Sequence, residues 1–194
     1  MFRTLILGTA LSTALACAGH AQTTGSEVQR DVNQQQRIEN GLGTGELSSG
    51  EAARLEAGQS HVDRLEQNAN RDGNLSPAEA QRIQRAQNVQ SRRIYDLKHN
   101  GVTGNPNSPS SRRLQADVQR NVNQQQRIEQ GIQSGSVTNR ETGRLEGGQA
   151  RVDGREAVAG DNGRVGTGEQ RRIQTAENHQ SRRIYRVKHN ATMR

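Results

Sequence analysis

Aromatic side chains and thiols are nearly missing from this chain. Of 194 residues, 2% are aromatic, none is Trp, and Cys17 is the only cysteine. One cysteine cannot build a disulfide framework or a Cys-x-x-Cys redox site. Without aromatics there are no stacking platforms for single-stranded nucleic acid, so no nucleic-acid partner is expected. Long apolar runs are scarce too. Leu, Ile, Val and Phe make up about 17% of the chain, below the roughly 20% at which disorder competes with folding. The mean hydropathy is −1.01. So lean a chain cannot bury a large enzyme core. It also has no Gly-x-Ser-x-Gly elbow, no His pair at i, i+4 spacing and no Gly-rich loop after an apolar strand. A non-enzymatic protein is therefore expected.

What apolar character exists is concentrated first at the N-terminus. Arg3 precedes Leu5, Ile6, Leu7, Leu11 and Leu15, and Gly19-His20-Ala21 offers small residues at −3 and −1. This is the layout of a secretory signal peptide, expected over 1–21. The run is too short to cross a bilayer, and no transmembrane span is expected elsewhere. Ala14-Leu15-Ala16-Cys17 places Leu at −2 where a lipobox prefers −3, so a lipid anchor at Cys17 is not expected. Cleavage after Ala16 is the alternative to cleavage after Ala21. The lack of disulfides in an exported chain points to a bacterial periplasmic or extracellular protein.

The remainder is one unit written twice. VQRDVNQQQRIEN at 28–40 returns as VQRNVNQQQRIEQ at 118–130, and SRRIYDLKHN at 91–100 returns as SRRIYRVKHN at 181–190. The offset is 90 throughout and the register holds without a gap. Apolar residues fall at helical spacing: Val28, Val32 and Leu42, then Ala52, Leu55, Val62 and Leu65, then Ile83, Ala86, Ile94 and Leu97. Ser48 with Glu51, Ser76 with Glu79 and Thr138 with Glu141 are capping boxes, and Pro77 strengthens the third start. Gly58 looks like a weak point in the second helix. The predicted fold is all-α, with two tandem three-helix units over 22–100 and 116–190. A flexible Gly, Pro, Asn and Ser linker is expected at 101–115, and a tail at 191–194.

Residues 68–79 read NANRDGNLSPAE. They resemble an EF-hand calcium loop, with Gly73 at position 6 and Leu75 at position 8. The resemblance implies a ligand set of Asn68, Asn70, Asp72, Asn74, Ser76 and Glu79. Only Asp72 and Glu79 are charged, so weak calcium binding in this one loop is the cofactor expectation. The corresponding segments at 40–51, 130–141 and 158–169 carry Leu42, Ile132, Val158 or Gly160 at ligand positions, so they are degenerate EF-hand-like loops. The charge is arginine charge, since Lys98 and Lys188 are the only lysines. The first unit has 10 basic and 11 acidic residues, the second 13 and 9. Arg182, Arg183, Arg186 and Lys188 are candidates to meet an anionic envelope component. The function expected is that of an exported helical binding or structural protein for an unidentified protein partner. The alternative is an Arg-rich binder of anionic envelope polymers.

Overall fold

The structure, a computed structural model, describes residues 23–190. The expected signal peptide, Cys17 and the last four residues lie outside them. The described chain is all-helical, with six helices and no strand: α1 (Thr24–Thr44), α2 (Ser49–Ala69), α3 (Pro77–Lys98), α4 (Pro109–Gln133), α5 (Asn139–Gly160) and α6 (Thr167–His189). No helix among these residues is long and apolar enough to cross a membrane.

Local chemistry sets the boundaries. Ser48, Ser76 and Thr138 each accept a bond from the backbone N–H three residues on, and Glu51, Glu79 and Glu141 return one. Gly166 has no side chain to give, so α6 keeps only the Glu169 half of that device, with Gly166 N–H donating to Oε2 at 2.7 Å. Gly45 ends α1 at φ 80°, a left-handed conformation that costs other residues about 1–2 kcal/mol.

The expected linker at 101–115 divides in two. Its second half is the start of α4, because Ser108 caps the Ser111 N–H at 3.1 Å and Pro109 suits the first helical position. Its first half is tied back to the first repeat. Gly104 N–H donates to Gly45 O at 2.8 Å.

The most extensive helix packing joins the repeats. The α2–α5 pair runs antiparallel: Gly160 lies against Ala53, Ser60 Oγ donates to Ala150 O at 2.8 Å, and Gly143 lies against Asn70. The α1–α4 pair is also antiparallel, with Gly25 beside Ile132 and Gln115 reaching Leu42 O. Helix α3 covers α1 and α2, and α6 covers α4 and α5. Both apolar clusters draw on both repeats. One joins Ile38, Leu42 and Leu55 to Leu114, Val118 and Ile173. The other joins Val28 to Ile128, Leu145 and Ile184.

Gly58 is a close approach, not the weak point its helix propensity suggests. A Cβ there would stand 2.0 Å from Gln90 Oε1, and at Gly148 it would stand 1.9 Å from Gln180 Oε1. The two glutamines use that space to donate to Leu55 O and Leu145 O, both at 2.8 Å.

Candidate metal centre

Between the two apolar clusters the interior is polar. Along α2 the order is Leu55, Glu56, Asp63, Glu66; along α5 it is Leu145, Glu146, Asp153, Glu156. All six acids are at most 1% exposed. Glu27 and Asp31 join them from α1, Asp117 from α4 and Glu177 from α6, each at most 1% exposed. Ten of the chain's 20 acidic residues are therefore at most 1% exposed, and Glu51, buried at 4%, closes the cap of α2. No Lys, Arg or His among the described residues is buried with them.

Antiparallel packing sorts these acids into two groups related by the 90-residue offset. The first has Glu27, Asp31, Asp63 and Glu66 from one repeat, with Glu146 from the other adding its repulsion. The second has Asp117, Asp153, Glu156 and Glu177, with Glu56 entering from the first repeat. Asp31, Asp63 and Glu66 each place a carboxylate oxygen within 4.8 Å of the others, and so do Glu56, Asp153 and Glu156.

Amides organise both groups. Gln87 Nε2 donates to Asp31 Oδ1 (3.0 Å) and Glu66 Oε1 (3.1 Å). Asn121 Nδ2 donates to Asp153 Oδ1 (3.1 Å) and Glu156 Oε2 (2.8 Å). Gln35 reaches Glu56 at 3.0 Å, and Gln125 reaches Glu146 at 2.9 Å. Those donors are too few. Neither oxygen of Glu27 meets a protein donor, those of Asp63 meet only the carboxyl of Asp153, where the two groups touch, and one oxygen each of Asp31, Glu56, Glu66, Glu146 and Glu156 is also left over. Native interiors leave few such atoms, and each one costs on the order of 1–3 kcal/mol.

Burial acts on every one of these acids. It pushes Glu27 up to about 8, helped by Asp31, and Asp31 up to about 7 against the bonds that favour its ionised form. Glu146 is pushed up to about 8 and Glu56 to about 7. Burial first, then the surrounding carboxylates, hold Asp63, Glu66, Asp153 and Glu156 well above the ordinary range. Burial also lifts Asp117 to about 7 and Glu177 to about 8, although Arg120 pairs with Glu177 at 3.1 Å.

Two arrangements relieve such a cluster: protons shared between facing carboxyls, or bound cations. The donor set is all oxygen, with no His or Cys, which suits hard divalent ions. Calcium–oxygen distances of about 2.3–2.6 Å put any two ligands at most roughly 5 Å apart, and the oxygens of each triad lie within 4.8 Å of one another. The geometry fits such an ion.

The residues singled out by sequence lie elsewhere. Asn68 ends on the last turn of α2 and is exposed. Asn70 is fully buried, donating to Glu66 O and accepting from Thr24, each at 3.0 Å. Asp72 accepts from the Asn74 N–H at 2.8 Å, and Ser76 and Glu79 close the cap of α3. On α6, Arg183 joins Arg151 in a groove, Arg182 contacts His179, Arg186 is exposed and Lys188 is half-buried. The interior acids were missed because charged residues are almost never fully buried unpaired. One signal was available: Glu56, Asp63 and Glu66 recur unchanged as Glu146, Asp153 and Glu156, at helical spacing and among apolar neighbours.

Comparison with protein-family models, with curated proteins and with solved structures finds no match to this chain.

Proposed function

We propose that this is an exported, non-enzymatic protein that binds hard divalent cations, calcium first, at two oxygen-only sites inside its helical bundle. One observation carries the reading. Ten carboxylates are at most 1% exposed with no buried cation beside them, and the oxygens of Asp63 meet no protein group but the carboxyl of Asp153. The ligand chemistry is the calcium chemistry expected of the 68–79 loop, moved to the bundle. The supply of ligands by protein oxygens alone favours calcium over magnesium, which gives up its waters reluctantly. Full burial favours binding over turnover, since no substrate reaches Asp63 or Asp153 from solvent. On this reading each repeat is a three-helix unit that completes the other. Glu146 serves the first site and Glu56 the second, so the cations hold the repeats together.

Calorimetric titration of the chain with calcium at pH 8 tests the proposal. Two ions per chain are expected, with Asp63→Asn removing one and Asp153→Asn the other. Asp72→Asn should leave both in place. No binding at millimolar calcium, or a single ion lost with Asp72→Asn, overturns it.

A further inference from the structure

Enclosing ten acids changes the exterior. The described residues hold 25 Lys and Arg, since Arg3 and Arg194 lie outside them, and with Glu51 also buried nine acids remain for the surface, an excess of 16. The ion pairs Lys98–Glu46 and Arg120–Glu177 offset little of it. The free arginines are not spread evenly. The groove between α2 and α3, about 360 Å³, is lined by Arg54, His61, Arg85 and Arg93 and by no acid. The groove between α5 and α6, about 140 Å³, is lined by Arg151, Arg155, His179 and Arg183, again by no acid.

The two grooves have the same cationic content, three arginines and one histidine, built half from shared and half from different positions. Two cationic positions are shared across the 90-residue offset, Arg93 with Arg183 and His61 with Arg151. The other two differ: Arg54 is matched by Arg144 outside the second groove and Arg85 by Thr175, while Arg155 is matched by Leu65 and His179 by Val89. A solvated helix face drifting after duplication has no reason to restore its charge count in the same cleft. In the second groove the cations are crowded: partial burial and the charge of Arg183 both push the Arg151 guanidinium below its ordinary range. Each cleft also has a fixed floor, where Gly58 and Gly148 admit the Gln90 and Gln180 side chains.

We propose that these two grooves bind phosphate groups, one per groove, through forked arginine contacts from both walls. Guanidinium forks match phosphate oxygens in pairs, and clustered cations raise the rate of encounter. The phosphates have two possible sources, a soluble phosphorylated polymer or a phospholipid headgroup.

The test measures binding of the calcium-loaded chain to inorganic polyphosphate and to phosphatidylglycerol vesicles, with phosphatidylcholine vesicles as reference, at 0.15 M salt. Arg93→Gln with Arg183→Gln is compared with Arg82→Gln and Arg171→Gln, an equal charge loss at exposed positions lining neither groove. The groove pair should weaken binding by about tenfold or more, on the order of 1.4 kcal/mol; the control pair should change it less than about twofold. All four positions are exposed, so helicity and melting should hold. Binding to polyphosphate supports a soluble source, and binding to vesicles alone a headgroup. Equal loss in both pairs, or no binding to either probe, overturns the proposal.

Discussion

The two buried sites have the same charge count but not the same residues. At the α1 position Asp31 becomes Asn121, and a carboxylate is lost. At the α3 position Gln87 becomes Glu177, and a carboxylate is gained. Each site keeps five acids. What the duplication has held constant is the number of negative charges, whichever helix supplies them. Packing alone would not require that, because Asn for Asp or Gln for Glu hardly changes volume. A site that balances cation charge does require it. The sites still differ in one respect. Glu177 shares its charge with Arg120, which is 37% exposed, whereas no acid of the first site has an ion pair. The first site should therefore bind the tighter of the two cations.

The largest expected effect is on stability against pH. The interior acids have folded values raised above their unfolded ones, so the folded state holds more protons between about pH 4 and 8. Without metal, stability is fullest below about pH 4 and is lost as pH rises through 7 to 8. Each displaced group contributes on the order of 1 kcal/mol per unit of pH across its own window. Cations reverse the slope, because they bind the ionised acids. Melting curves followed by circular dichroism, in chelator and in calcium, should cross between pH 5 and 8. Parallel curves would mean that protons alone settle the interior.

Single amides come next. Asp63→Asn and Asp153→Asn each remove a charge that no donor compensates or a partly compensated one. Both should raise the melting point in chelator and lower calcium affinity at their own site by roughly 100-fold or more, at least the loss seen for outer-shell partners. The Asp63 variant should remove the tighter phase of the titration. If it removes the weaker phase, the ranking of the sites is wrong.

Exchanging the two differing positions sharpens the comparison further. Asn121→Asp with Glu177→Gln gives the second site the residues of the first at both places and frees Arg120 from its pair. The two binding phases should then merge to within about threefold, less than 1 kcal/mol. Asn121→Asp alone puts a sixth acid in the site and removes the amide that holds Asp153 and Glu156. It should cost about 1–3 kcal/mol in chelator and recover in calcium.

Much of the fold was readable from local chemistry. The capping boxes at Ser48, Ser76 and Thr138 marked helix starts within a residue or two, because those signals act over three or four positions. The partners of each helix were not readable. Val28 meets Ile128 and Leu145, and nothing near Val28 in sequence announces it. The same blindness hid the candidate site. Glu56 looks like a solvated acid until α5 brings Asp153 and Glu156 against it. The low apolar content now has a structural reason: carboxylates and amides fill the middle of the core between its two apolar ends.

The smallest effects test whether the scaffold is as symmetric as the sites are not. Gly58→Ala and Gly148→Ala each drive a methyl into a glutamine amide that holds α3 or α6 in place. The gain in helix propensity, about 1 kcal/mol, works against a lost buried bond of about 1–3 kcal/mol. Both variants should lose stability by the same small amount. Gly43→Ala, with open space around it in α1, should gain some tenths of a kcal/mol instead. Denaturant midpoints resolve these differences. Unequal losses at Gly58 and Gly148 would mean that the repeats differ in packing as well as in ligand placement. The affinity gap between the sites would then no longer be attributable to Arg120 alone.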